Sequence, residues 1–127
     1  MVNAITAAQK AARKAIESTY TGVCFIIEHQ EATDTKTHIT DFEDVTVIEN
    51  QPCKLSFEKI NTVVQTETAA SISQAVKLFI APEIKVKGGS KIVVEQNGVT
   101  TEYFASGEPA IYLSHQEIIL ELFKGWA

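Results

Sequence analysis

With 127 residues, the chain is long enough for one domain that buries about two thirds of its unfolded surface, so a core needs no disulfide to hold it. Eleven Lys and Arg against sixteen Asp and Glu leave a formal charge of −5, the wrong sign for tight wrapping of duplex phosphates. The longest purely apolar run, Val23-Cys24-Phe25-Ile26-Ile27, is far below a membrane span, and a soluble protein made in the cytoplasm is expected.

Ile5, Ala8, Ala12, Ile16 and Tyr20 recur at helical spacing, with Lys10, Arg13, Lys14 and Glu17 on the other side. That pattern predicts an amphipathic helix over 4–20. Thr6 followed by Gln9 offers a capping box, and Gly22 a left-handed stop. The apolar face is mostly alanine, so it buries little area per turn and must dock on something larger. Two docks stay open: the chain's own barrel, or another subunit reached through Ala8, Ala12 and Ile16.

From Val23 the period changes to two, and β-branched and aromatic residues dominate. A first strand over 22–30 carries Val23, Phe25, Ile27 and His29 on one side and Cys24 and Ile26 on the other, which suggests burial on both faces. A polar turn over 33–40 leads to a strand around Val45-Thr46-Val47-Ile48, and Asn50-Gln51-Pro52 is expected to end it. Around that turn Glu28, Glu31, Asp34, Asp41, Glu43, Asp44 and Glu49 face only Lys36, and read as a solvated surface. Cys53, Leu55 and Phe57 then alternate with Lys54, Ser56 and Glu58 as a half-buried strand.

Residues 59–74 are small and polar with weak periodicity. They are expected to form a long loop, with a short helix over 67–73 as the rival, and connections of this length are usually functional or disordered. Val76-Lys77-Leu78-Phe79-Ile80 restores a strand, closed by Pro82. Asn97-Gly98 predicts a tight hairpin turn, since both central residues of a type I′ turn need positive φ; its arms are 91–95 and 100–104. Gly107 and Pro109 punctuate before a short strand at 110–112, and a last strand runs over 117–123. The sum is a mainly β single domain, 1–127: one N-terminal helix, then over 22–127 a small barrel or sandwich of about six or seven antiparallel strands with a long polar loop.

Chemistry is sparse in this pattern. Cys24 and Cys53 sit in apolar strand-like runs and read as buried reduced thiols, with a Cys24–Cys53 disulfide left open for an oxidising compartment. A hydrolase would have to draw on Cys24, Cys53, Ser114, His29, His38 and His115. Adjacent on a strand, Ser114 and His115 would point to opposite faces, which prevents direct activation. His115 and Glu117 could supply two metal ligands, where such sites usually gather three or four, so a hydrogen-bonding role for His115 is the better reading. Gly88-Gly89-Ser90-Lys91 reads as a turn and not a phosphate loop. No catalytic, cofactor or metal site is predicted. Tyr103, Phe104 and Tyr112 could stack single-stranded bases, as small five-stranded barrels do, against the plainer alternative of core or rim packing.

Several stretches carry a resemblance: Glu49-Asn50-Gln51-Pro52-Cys53-Lys54-Leu55-Ser56-Phe57, Gly89-Ser90-Lys91-Ile92, Asn97-Gly98, Tyr103, Ser106-Gly107-Glu108-Pro109-Ala110, Tyr112 and His115-Gln116-Glu117-Ile118. Together they resemble the head-to-tail joining proteins of long-tailed bacteriophages and prophages of Gram-positive hosts, the stopper or head-completion group more than the tail terminators. The resemblance implies a non-enzymatic virion protein without cofactors, assembled as a ring below the portal and adaptor, closing the DNA channel and offering a surface to the tail. It implies residence at the neck of the virion, and in the host cytoplasm during assembly, with portal or adaptor proteins, tail proteins and copies of itself in a ring as partners; packaged DNA is met only by channel closure, no membrane is involved, and ring or monomer stays open for the isolated chain. In that group the loop after the strand matched by 53–57 projects into the channel. By position it is Thr62, Val63, Val64, Gln65, Thr66, Glu67, Thr68, Ala69, Ala70 and Ser71. The alternative from another class is a small single-strand-binding barrel that uses Tyr103 and Phe104.

Overall fold

The computed structural model describes residues 4–61 and 72–126. Helix α1 (Ala4–Glu17) precedes six strands: β1 (Gly22–Thr33), β2 (Thr40–Asn61), β3 (Ile72–Ile80), β4 (Lys91–Gln96), β5 (Val99–Ile111) and β6 (Gln116–Leu122). Every pairing is antiparallel, and the strands close into a barrel in the order β1-β2-β3-β6-β5-β4. Alternation decides which side chains enter it. Cys24 and Ile26 from β1, Cys53 from β2, Leu78 and Ile80 from β3, Ile92 and Val94 from β4 and Ile118 from β6 are fully enclosed, and Leu55, Val86, Tyr103, Ala105 and Leu120 complete the core. On the outer side Val23, Phe25 and Ile27 are half-buried, so β1 is enclosed on one face and not on both.

Two expected breaks are bends instead. Asn50 takes φ 50°, and β1–β2 pairing slips between Cys24↔Gln51 and Ile26↔Ile48, which puts an extra residue on β2. The strand therefore curves through Asn50-Gln51-Pro52 and continues to Asn61. Pro52 falls where pairing to β1 gives way to pairing with β3 at Cys53↔Ile80, the changeover at which a missing donor matters least. In β5 the register passes from Ser106↔Ile119 to Ala110↔Glu117, with Gly107 at φ 78°. One bulged strand stands where two were expected. The hairpin turn is as predicted, with Asn97 at φ 55° and Gly98 at φ 77° between Gln96 and Val99.

Strand polarity assigns the two ends of the barrel. At the end where β3 and β5 finish, the 81–90 connection closes the opening with buried Ala81 and Val86, and the Gln116 amide donates to the carbonyls of Ala81 (2.8 Å) and Ile84 (2.5 Å). The same end sends out a two-stranded ribbon. β1 pairs with β4 only over 23–27, so 28–33 has β2 as sole partner, from Glu28↔Val45 to Thr33↔Thr40. From the opposite end of β2 a second ribbon leaves, because β3 meets β6 only from Val76 onward. Its pairs Lys59↔Gln74, Ile60↔Ser73 and Asn61↔Ile72 replace both ends of the expected 59–74 loop with strand. The predicted channel residues, 62–71, and most of the rival helix lie outside the described residues.

Helix α1 starts at Ala4, so Thr6 lies within its first turn and is not the cap. It stops at Glu17, five residues before Gly22. Ser18 and Thr19 hydroxyls donate to the Ala15 and Ile16 carbonyls, both at 2.6 Å, and supply the C-terminal partners. Gly22 instead belongs to β1, where a Cβ would sit 3.1 Å from the Glu95 carbonyl oxygen and 3.3 Å from that of Cys53. Arg13 ties the helix down, bonding Glu17 at 2.7 Å and Glu83 at 2.5 Å.

Candidate functional site

The cysteines, predicted as buried thiols, are free and fully enclosed. The Cys24 thiol is pushed far above its ordinary pKa, first by a hydrogen bond with Cys53 and then by burial, so it stays protonated and unreactive. His38 stands at φ 56° in the turn between β1 and β2, away from the other histidines on the β1–β2 ribbon and the β5–β6 turn. Among the described residues no group of three or more His, Cys, Asp and Glu gathers as metal ligands.

Ser114 and His115 depart from expectation. They occupy a tight turn, closed by the Tyr112 N–H donating to the His115 carbonyl at 2.8 Å, and not a strand. Freed from strand alternation, Ser114 Oγ reaches His115 Nδ1 at 2.9 Å, and His115 Nε2 lies 3.0 Å from Glu117 Oε2. Tyr112 stacks on the imidazole (4.9 Å, 19°) and Phe79 tilts against it (5.6 Å). With both ring nitrogens engaged and rings against the imidazole, His115 fixes the shape of the turn that joins β5 to β6.

Core and rim packing, the plainer reading of Tyr103, Phe104 and Tyr112, holds over a three-ring stacking platform. Tyr103 is 4% exposed and belongs to the core, Phe104 pairs with Glu121 and borders the same rim cavity, and Tyr112 lies just past the far end of β5. A different aromatic cluster forms, one that sequence reasoning missed. His29 is sandwiched between Phe42 (4.7 Å, 10°) and Trp126 (4.7 Å, 15°), Trp126 meets Phe123 edge-on at 5.1 Å, and Lys91 Nζ sits 4.6 Å over the Phe123 ring. Asp44 Oδ1 is 2.9 Å from His29 Nδ1, and its carboxyl is held below the usual range chiefly by that bond, with Trp126 adding a second. The segment after β6 is thereby fastened to the β1–β2 ribbon. Only the alternation placing His29 and Phe42 on neighbouring strands hinted at it; nothing local pointed to Trp126.

No family model matches the chain, and no curated protein matches it. Its fold is similar to one solved structure, the phage-like element PBSX protein xkdH of Bacillus subtilis, at 14% identity and a TM-score of 0.46, covering 80% of this chain and 90% of that one.

Three surfaces stand out. Where β6 ends and β5 begins, the barrel is open: Phe57, Val76, Tyr103, Phe104, Leu120 and Leu122 line a cavity of about 510 Å³, with Glu121 and Lys124 beside it. At the other end the β5–β6 turn exposes Ile111, Tyr112 and Leu113. The third is α1. Ala8 and Ala12 are exposed, whereas Ile16 turns with Tyr20 toward Lys54, Phe79 and His115 around a cleft of about 330 Å³. Burial, and secondarily Glu17, push the Tyr20 phenol up to about 12, and its hydroxyl has no hydrogen-bond partner among the described residues. Of the three predicted subunit-contact residues, only Ile16 is drawn toward the chain's own barrel.

Proposed function

We propose that this chain is a non-enzymatic assembly protein of a bacteriophage neck. In this reading it forms a ring below the portal or adaptor that closes the DNA channel and offers the tail its attachment surface. The observation that carries the reading is the outline of the barrel: ribbons leave β2 from both ends, beyond the strands that close the sheet. A strand pair with solvent on both faces stabilises its own fold poorly, and such ribbons serve reaching and contact. The exposed Ala8–Ala12 face and the apolar residues left uncovered at both barrel ends support the same reading, since exposed apolar patches mark interaction surfaces. So does the family resemblance, which runs from about Thr37 to Ala127 and whose matched stretches fall on the bulge, the hairpin turn and the β5–β6 turn. The partners follow: portal or adaptor on one side, tail on the other, and identical copies around the axis.

The test is electron microscopy of intact particles carrying a labelled copy of the chain. Density at the neck vertex, with multiple copies around the axis, is the expected result. A particle complete at the neck without this polypeptide sinks the reading.

A further inference from the structure

An apolar projection stands at one end of the molecule and an apolar opening at the other, and β6 runs between them. The projection is the β5–β6 turn, where Ile111 is 67% and Leu113 74% exposed. It is stiff: Tyr112 N–H to His115 O (2.8 Å) closes it, and Ser114 and Glu117 hold the imidazole under the Tyr112 ring. The opening is the barrel mouth of about 510 Å³, in which Phe57 remains 51% and Leu122 60% exposed although strand alternation points both inward. A cavity of that size lies in the range that encloses ligand groups, and a pre-shaped insert loses little conformational freedom on entering it.

We propose that these two surfaces bind each other between copies: the turn of one chain, led by Ile111 and Leu113, inserts into the barrel mouth of the next. The contact rests on the ring reading above and names the surfaces that make the ring. Charge supports the choice of occupant. Lys124 beside the mouth and Glu108 on the bulge before Ile111 have no ion-pair partner among the described residues, and insertion brings these opposite signs to the same rim. Glu121, also beside the mouth, works against Glu108 and sets a limit on the gain. Because projection and mouth lie at opposite ends of β6, the contact uses two different patches. Such an interface repeats head to tail until it closes on itself.

Cysteine pairing tests it on the full chain. Leu113→Cys and Leu122→Cys proteins, each singly substituted, are mixed and oxidised at the highest soluble concentration; the native Cys24 and Cys53 are enclosed and stay silent. A disulfide between unlike chains is expected. Pairing of like chains only, or none, overturns the proposal. In sedimentation velocity, Leu113→Asp should weaken self-association at least tenfold while circular dichroism stays unchanged, as removal of a central anchor does. Lys124→Glu should weaken it several-fold, and Glu108→Lys in the same chain should restore it; an unrestored double variant counts against the rim pairing, and wild-type chain that stays monomeric throughout overturns the contact. Self-association untouched by Leu113→Asp removes this contact and leaves the neck assignment standing. Intact Leu113–Leu122 pairing in a chain absent from the neck does the reverse.

Discussion

Inside the barrel each strand has two hydrogen-bonded neighbours and one face sealed in the core; along the 28–33 and 40–45 ribbon each has one neighbour and no fully sealed face. The same strands, β1 and β2, cross from one regime to the other without a break. Their side chains change with the regime: Cys24 and Ile26 alternate with half-buried apolar residues in the body, while Glu28, Glu31, Asp41 and Glu43 occupy the ribbon. Hydrophobic burial holds the body. The ribbon is held by its own ladder, by the stack of Trp126 on His29 and Phe42, and by Lys87 Nζ 3.6 Å from Glu28 Oε1. Stability and reach are therefore built into different lengths of one strand.

The sharpest way to break that contrast is to cut the core and the ribbon in parallel. Ile92→Ala or Leu78→Ala removes a fully enclosed side chain and should cost about 2–5 kcal/mol in urea unfolding. Ile39→Ala, at an exposed position in the ribbon turn, should stay within about 0.5 kcal/mol. Equal losses would show the ribbon to be part of the cooperative core.

Gln116→Leu comes next. It strips the Ala81 and Ile84 carbonyls of their buried donor and should cost about 1–3 kcal/mol, with faster amide hydrogen exchange across 81–90. Unchanged exchange there would mean that Val86 alone closes this end. Trp126→Ala is expected to cost about 1 kcal/mol at most in global stability. Its larger signature is local: exchange should quicken at 28–33 and stay slow at 92–94. A uniform change would deny that the tie acts on the ribbon.

The smallest effects are titrations. Asp44 has a depressed pKa in the fold, so the support it lends is present above the unfolded carboxyl value of 3.8 and is lost as pH falls through the lower folded value. NMR should find the His29 and Trp126 rings separating in that acid window; rings that part above it would assign the tie to something else. At the base of α1 the sign is opposite. Tyr20 is raised from 10.0 to about 12, so the docking of its neutral phenol is complete below pH 10 and lost as pH climbs through about 12. Tyrosinate absorbance in a Tyr20→Phe comparison should isolate that step, and a Tyr20 that ionises near 10 would place it outside the cleft.

Much of the body could be read from the chain. Alternation found the strands around Phe25, Leu55, Leu78, Val93 and Ile118, and Asn97-Gly98 placed its hairpin to the residue, because these signals are local and tertiary contacts agree with them. Asn50-Gln51-Pro52 and Gly107-Glu108-Pro109 misled for a physical reason. The same residue types end a strand or bend it, depending on whether the partner strand continues opposite. Ser114 and His115 were kept apart on strand geometry, and a tight turn joins them. Trp126 in its stack on His29 and Phe42 was invisible, since the three rings come from separated segments.

What the amino-acid order determined alone is a period, a face and a turn: one weak alanine helix, a series of alternating strands, two enclosed thiols. Closure of the barrel, its plugged and open ends, and the length by which β1 and β2 outrun it belong to the tertiary structure. Those features depend on register between distant strands, and register minimises the free energy of all the pairings together; no single segment encodes it.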